Sequence, residues 1–84
     1  MGEEINHKHK YHYVSVLGDH GKYGIVAGPW ATHDEAVKNV RRVSDIAIAR
    51  DPRAFWYGWG TCSSDERFVT VFERAGIVLR EKAL

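Results

Sequence analysis

Eighty-four residues, 44% hydrophobic and 27% charged, suffice for one small core and for no second domain. Twelve basic against eleven acidic residues leave a net charge of +1, which argues against a strongly basic nucleic-acid binder and against an acidic nucleic-acid mimic. A single cysteine, Cys62, excludes an intrachain disulfide and points to a reducing, cytoplasmic setting.

In chain order, residues 1–10 are polar and charged without an apolar run. They read as a mobile N-terminal tail, neither signal peptide nor membrane anchor, ahead of a single α+β domain over 11–84. Tyr11 to Leu17, YHYVSVL, is β-branched and aromatic and alternates as a strand. Val14 and Val16 fall on one face, and Tyr11, Tyr13, Ser15 and Leu17 on the other. Gly18 to Lys22, GDHGK, offers two glycines for positive φ, so a hairpin with a longer loop leads to a second strand, Tyr23 to Ala27.

Gly28-Pro29-Trp30-Ala31 breaks that strand. Thr32-His33-Asp34-Glu35 has the S/T-x-x-E spacing of a capping box, in which the threonine hydroxyl accepts the Glu35 N–H. A helix is expected from His33 to about Arg50. Ala36, Val40, Val43 and Ala47 form its apolar stripe, flanked by Val37 and Ile46; Asp34, Lys38, Arg41 and Asp45 form its charged face. Asp51-Pro52 ends it, because the residue before a proline avoids the α region.

Arg53 to Cys62, RAFWYGWGTC, reads as a third strand. Phe55, Tyr57, Trp59 and Thr61 would share one face, and Trp56, Gly58, Gly60 and Cys62 the other. The glycine face is expected under the helix, where close approach is useful, with the aromatic face turned away. Ser63 to Glu66 is a turn, and Phe68 to Phe72, FVTVF, alternates as a fourth strand. Ile77-Val78-Leu79 is a short apolar end that must pack somewhere, with a final helical turn as one option. The expected order is β-β-α-β-β: a small antiparallel sheet with one helix packed across one face.

One helix covers one side of such a sheet. The uncovered side would then carry Tyr11, Tyr13, Phe55, Tyr57 and Trp59, a contiguous aromatic patch. These rings are either core, covered by the C-terminal segment or by a second copy in a homodimer, or anchors for another protein. The leading expectation is a non-enzymatic binding module that contacts a protein through Tyr13, Phe55, Tyr57 and Trp59, with Arg41 and Arg42 as rim charges. The alternative is single-stranded nucleic acid, with bases stacked on the same face and Lys8, Lys10 and Arg53 at the backbone. Lys38, Arg41, Arg42, Arg50 and Arg53 are interleaved with Asp34, Glu35 and Asp45, a pattern more typical of a solvated face.

His7, His9 and His12 place imidazoles at i, i+2 and i+5, but no Cys, Asp or Glu in that run completes a tetrahedral set, so no metal is expected. No histidine has a context that pairs it with Cys62. Asp19-His20 and His33-Asp34 are accounted for by a loop and a helix cap. No catalytic residue, no cofactor and no membrane contact is expected.

Tyr23 to Val40, YGIVAGPWATHDEAVKNV, resembles one half of a SPOR domain, a peptidoglycan-binding module, through Val26, Gly28, Pro29, Trp30, Thr32, Glu35 and Ala36. The resemblance implies a strand, a Gly-Pro turn and a capped helix. A SPOR domain carries two such strand-helix units, whereas the first strand here enters a hairpin, and no ligand residue is carried over. The longer run from GPWATHDEAV through RDPRAFWYGWGTC is similar to small uncharacterised proteins of phage and prophage genomes. That resemblance implies a single-domain, non-enzymatic accessory protein that acts by binding a host protein, as inhibitors of host defence factors do.

Overall fold

A computed structural model of the protein describes residues 9–79. Among them, three strands form one antiparallel sheet: β1 (Tyr11–Leu17), β2 (Tyr23–Trp30) and β3 (Gly58–Ser64), in the spatial order β2-β1-β3. Helix α1 (His33–Arg50) connects β2 to a 3-10 turn, Pro52–Trp56, and packs across the sheet; a short helix, α2 (Val71–Ala75), follows β3. The fold is α+β with one main helix, as expected, but its order is β-β-α-β-α. Residues 1–8, most of the expected tail, and 80–84 lie outside the described residues. His9 and Lys10, assigned to that tail, both meet Asp65: the His9 Nδ1 at 3.4 Å, and the Lys10 N–H donating at 3.2 Å.

The hairpin between β1 and β2 closes with the Gly18 N–H donating to the Lys22 carbonyl at 2.7 Å. Of its two glycines only Gly21 takes a positive φ, joined there by His20. β1 and β3 pair without interruption from Tyr11 opposite Ser64 to Leu17 opposite Gly58. The β1–β2 ladder is irregular on both sides of Val14. At that irregular end Gly28 has φ +123°, and a Cβ there would lie 3.0 Å from the His12 carbonyl oxygen, so the close approach of the two strands needs a glycine.

Directly opposed residues share a face of the sheet. Val14 opposes Thr61 and Val16 opposes Trp59; this face meets Val43 of α1 and Phe72 of α2 in the core. Tyr13 opposes Cys62, Ser15 opposes Gly60 and Leu17 opposes Gly58 on the other face. The expected assignment is therefore reversed: Trp59 lies under the helices and the β3 glycines lie on the far side. The pairing register fixes this parity, and covering the indole rather than two glycines removes far more apolar surface from water.

α1 follows the sequence closely. The Thr32 hydroxyl accepts the Glu35 N–H at 3.1 Å, Ala36 and Val43 are buried, and Val40, Ile46 and Ala47 pack on the core. The Asp51 N–H closes the last turn on the Ala47 carbonyl. No helix among the described residues is long and apolar enough to cross a membrane.

Two expected strand segments are helical. The Asp51 carboxylate accepts the Arg53 N–H at 3.2 Å with Pro52 at the first helical position, so 52–56 winds into a 3-10 turn and β3 starts only at Gly58. Phe68 to Phe72 forms no fourth strand. Thr70 and Glu73 make a reciprocal capping box, with the Glu73 N–H donating to Thr70 Oγ1 at 3.1 Å and the Thr70 N–H to Glu73 Oε1 at 2.9 Å. That box starts α2 at Val71, and Gly76, in the left-handed region, ends it. The helical turn thus precedes Ile77-Val78-Leu79, of which Ile77 and Leu79 pack against the core.

Candidate functional site

The four aromatic residues expected to anchor a partner, Tyr13, Phe55, Tyr57 and Trp59, do not come together on one open face. Tyr13 is fully buried; its hydroxyl donates to the Glu66 carbonyl at 3.0 Å and accepts the Phe68 N–H at 2.9 Å. The chain leaving β3 is thereby held over the part of the sheet that was expected to be bare. Trp59 packs on the core, and its Nε1–H donates to the Ala54 carbonyl at 3.0 Å. Tyr57 is half-buried with its ring beside Gly18, and only Phe55 is well exposed. The physical reason is the 3-10 turn: once 52–56 is helical, Phe55 leaves the strand and no longer shares a face with Tyr57 or Trp59. The two arginines stand mid-way along α1, Arg41 exposed and 3.9 Å from Asp45, Arg42 half-buried.

An exposed aromatic pair does exist, at the corner between α1 and β3. Trp56 is 82% exposed and Phe55 63%, with their ring centroids 5.0 Å apart and the planes at 89°. The turn beneath them is well determined. Buried Ala54 anchors it, with its carbonyl accepting both the Tyr57 N–H and the Trp59 indole. Arg53 donates through Nε and Nη2 to the two Asp51 carboxylate oxygens at 3.1 and 3.2 Å. That hydrogen bonding holds the Asp51 carboxyl below its ordinary range and the Arg53 guanidinium above its own. Both groups are charged at neutral pH and offset each other next to the rings.

A groove of about 240 Å³ adjoins the corner. Ala47, Ala54, Tyr57 and Trp59 line it together with Val71 and Ala75 of α2, and Arg50 and Asp51 are among the residues that bound it. Small-molecule sites typically span about 300–1,000 Å³, so this groove suits one or two apolar side chains of a partner better than a cofactor.

Trp56 is the residue that sequence reasoning missed, because strand parity placed it on the covered face. Asp51-Pro52 was a usable signal, since an aspartate ahead of a proline caps a new turn as readily as it stops a helix. A second arrangement also went unread. Ser63 Oγ lies 2.6 Å from His12 Nδ1, and His12 Nε2 lies 3.1 Å from the His9 carbonyl. The carbonyl can only accept, so Nε2 carries the proton and Nδ1 accepts from the serine. This is a nucleophile-base contact in form, but Ser63 is exposed and open to water. Cys62 is half-buried on the far face and has the Tyr23 hydroxyl as its polar neighbour.

No protein-family model, no curated protein and no solved structure matches this chain. The fold and site define a small α+β domain that displays an aromatic corner beside an apolar groove.

Proposed function

We propose that the chain is a protein-binding module whose contact is the Phe55–Trp56 corner together with the adjoining groove. The observation that carries this reading is an 82% exposed tryptophan on a turn that the Asp51 carboxylate, the Ala54 carbonyl and the buried Ala54 side chain hold in place. Tryptophan dominates the energetics of many interfaces, and covering a large apolar side chain is worth about 1.5–3 kcal/mol. A pre-ordered turn loses little further freedom on binding. The phage-type resemblance supplies the class of partner, a host protein such as a defence factor.

Single-stranded nucleic acid is the weaker reading, because Arg53 is already occupied by Asp51 and so offers less to a phosphate backbone.

A photo-cross-linking amino acid at position 56, in cells expressing the chain, tests the proposal against the same group at Lys38 on the charged face of α1. A discrete protein adduct is expected at 56 and not at 38, competed by the untagged wild-type chain and not by Trp56→Ala. Equal adducts at both positions would overturn the reading. So would salt-sensitive quenching of the Trp56 emission by oligonucleotides, which would move nucleic acid to first place.

A further inference from the structure

The two edges of the sheet are treated differently. An edge strand directs the N–H and C=O of alternate residues outward, a template for another strand, and proteins guard such edges with proline, lysine, bulges or a covering element. β2 is guarded in two ways: Pro29 has no N–H, and its ladder with β1 is irregular. β3 has one neighbour among the described strands and an unbroken ladder to it. Its sequence, Gly58-Trp59-Gly60-Thr61-Cys62-Ser63-Ser64, holds no charge and no proline.

We infer that the outer edge of β3 pairs with the same edge of a second copy, joining two three-stranded sheets into one six-stranded antiparallel sheet. The occupant follows from the strand itself. Centred on Thr61, the middle of its seven residues, antiparallel self-pairing sets Gly58 against Ser64 of the second copy, Trp59 against Ser63, and Gly60 against Cys62. Small residues oppose small ones or the indole, and no like charges meet. Such a contact is isologous and closes as a two-fold dimer. Directly opposed residues share a face, so both α1 helices cover the same side of the joined sheet. The two Trp56 corners come to lie at opposite ends of the seam. This inference does not depend on the protein-binding reading, because the corner lies outside the paired strand.

Sedimentation of the full chain is the test. The wild type is expected at twice the 9.6 kDa chain mass. Gly60→Lys should sediment as a monomer with an unchanged circular dichroism spectrum, since a Cβ at Gly60 meets no atom within 4 Å and a lysine there guards the edge. With oxidised glutathione as the oxidant, Gly60→Cys should form a reducible covalent dimer with the native Cys62 of the second copy, because directly opposed Cα atoms, about 4.5–5.5 Å apart, fall within disulfide range. Trp56→Ala should remain dimeric, which separates this result from the fate of the corner. A wild-type monomer at high micromolar concentration, or a dimer indifferent to Gly60→Lys, would overturn the inference. A dimer in which Gly60→Cys gives no cross-link would overturn the Thr61-centred register.

Discussion

The Phe68 N–H donates to the Tyr13 hydroxyl at 2.9 Å, and the two rings stand 6.0 Å apart. Tyr13 in turn donates to the Glu66 carbonyl at 3.0 Å. A side chain from the central strand thus holds the link between β3 and α2, a segment with no ladder of its own. Tyr13→Phe keeps the ring and leaves two poorly solvated backbone groups without that partner. The expected loss is about 1–3 kcal/mol in urea unfolding, with an unchanged slope. A negligible loss would mean that water replaces the hydroxyl and that the link is not held by it.

Gly28→Ala tests the close approach of β1 and β2. The new methyl would lie 3.0 Å from the His12 carbonyl oxygen and 3.1 Å from the Tyr13 ring, at φ +123°. Both the contact and the backbone conformation oppose it, and a loss of about 2 kcal/mol or more is expected in thermal or urea unfolding. An alanine variant as stable as wild type would show that the strands can part locally at little cost.

Much of the fold was legible where local chemistry and tertiary packing agree. Helix α1 begins at the residue its capping threonine indicates, and β1 has the bounds its alternation suggests. The failures lie where a short motif outweighed alternation. Phe68 to Phe72 has period two, yet Thr70-x-x-Glu73 repeats the Thr32-x-x-Glu35 spacing that located α1, and the cap prevailed. Asp51-Pro52 similarly turned the first half of an expected strand into the 3-10 corner. The site moved for the same reason: Phe55 was legible as exposed, but Trp56 was hidden behind a strand parity that does not exist there. Tyr13 is covered by the chain after β3, one of the outcomes left open for these rings; the sequence could not choose among them, because the covering segment lies more than fifty residues away.

Glu73 sets a pH dependence. Its carboxylate accepts Arg67 Nη1 and Nη2 at 2.9 and 2.8 Å and the Thr70 N–H at 2.9 Å, and these bonds, Arg67 first, lower its pKa from 4.5 to about 2. A carboxyl with a depressed folded-state pKa stabilises fully above its unfolded value and loses that contribution as pH falls through the folded one. Thermal stability should therefore decline between about pH 4.5 and 2. Glu73→Gln should be less stable than wild type at pH 7, with the difference closing by pH 2. Added salt should shrink it, because the pair is partly exposed. Parallel acid limbs for the two proteins would refute this.

The two neighbouring tryptophans should behave oppositely. Trp59 packs on the core and bonds Ala54, so Trp59→Ala is expected to cost about 3 kcal/mol and to loosen the turn that carries Phe55. Trp56 projects into solvent, so Trp56→Ala should stay within about 0.5 kcal/mol of wild type while losing the cross-linked partner. Guanidinium melts of both variants decide the first half of this contrast. An unfolded Trp56→Ala would mean that the ring supports the fold rather than displays itself.

The far face of the sheet carries its own titration. Tyr23 stands on the same face as Ser15 and Cys62, and both groups act on its phenol. Desolvation raises its pKa above 10.0, the Cys62 thiol raises it further, and the Ser15 hydroxyl opposes them. A raised tyrosine pKa means that the fold favours the neutral phenol. The contribution is complete below the unfolded value and is lost as pH rises through the folded one. Ultraviolet difference titration should resolve one tyrosine with a midpoint above 10.0, assigned by its absence in Tyr23→Phe. Cys62→Ala should move that midpoint down without returning it to the free value, because desolvation, the larger cause, remains. A midpoint unmoved by Cys62→Ala would show that thiol and phenol do not interact.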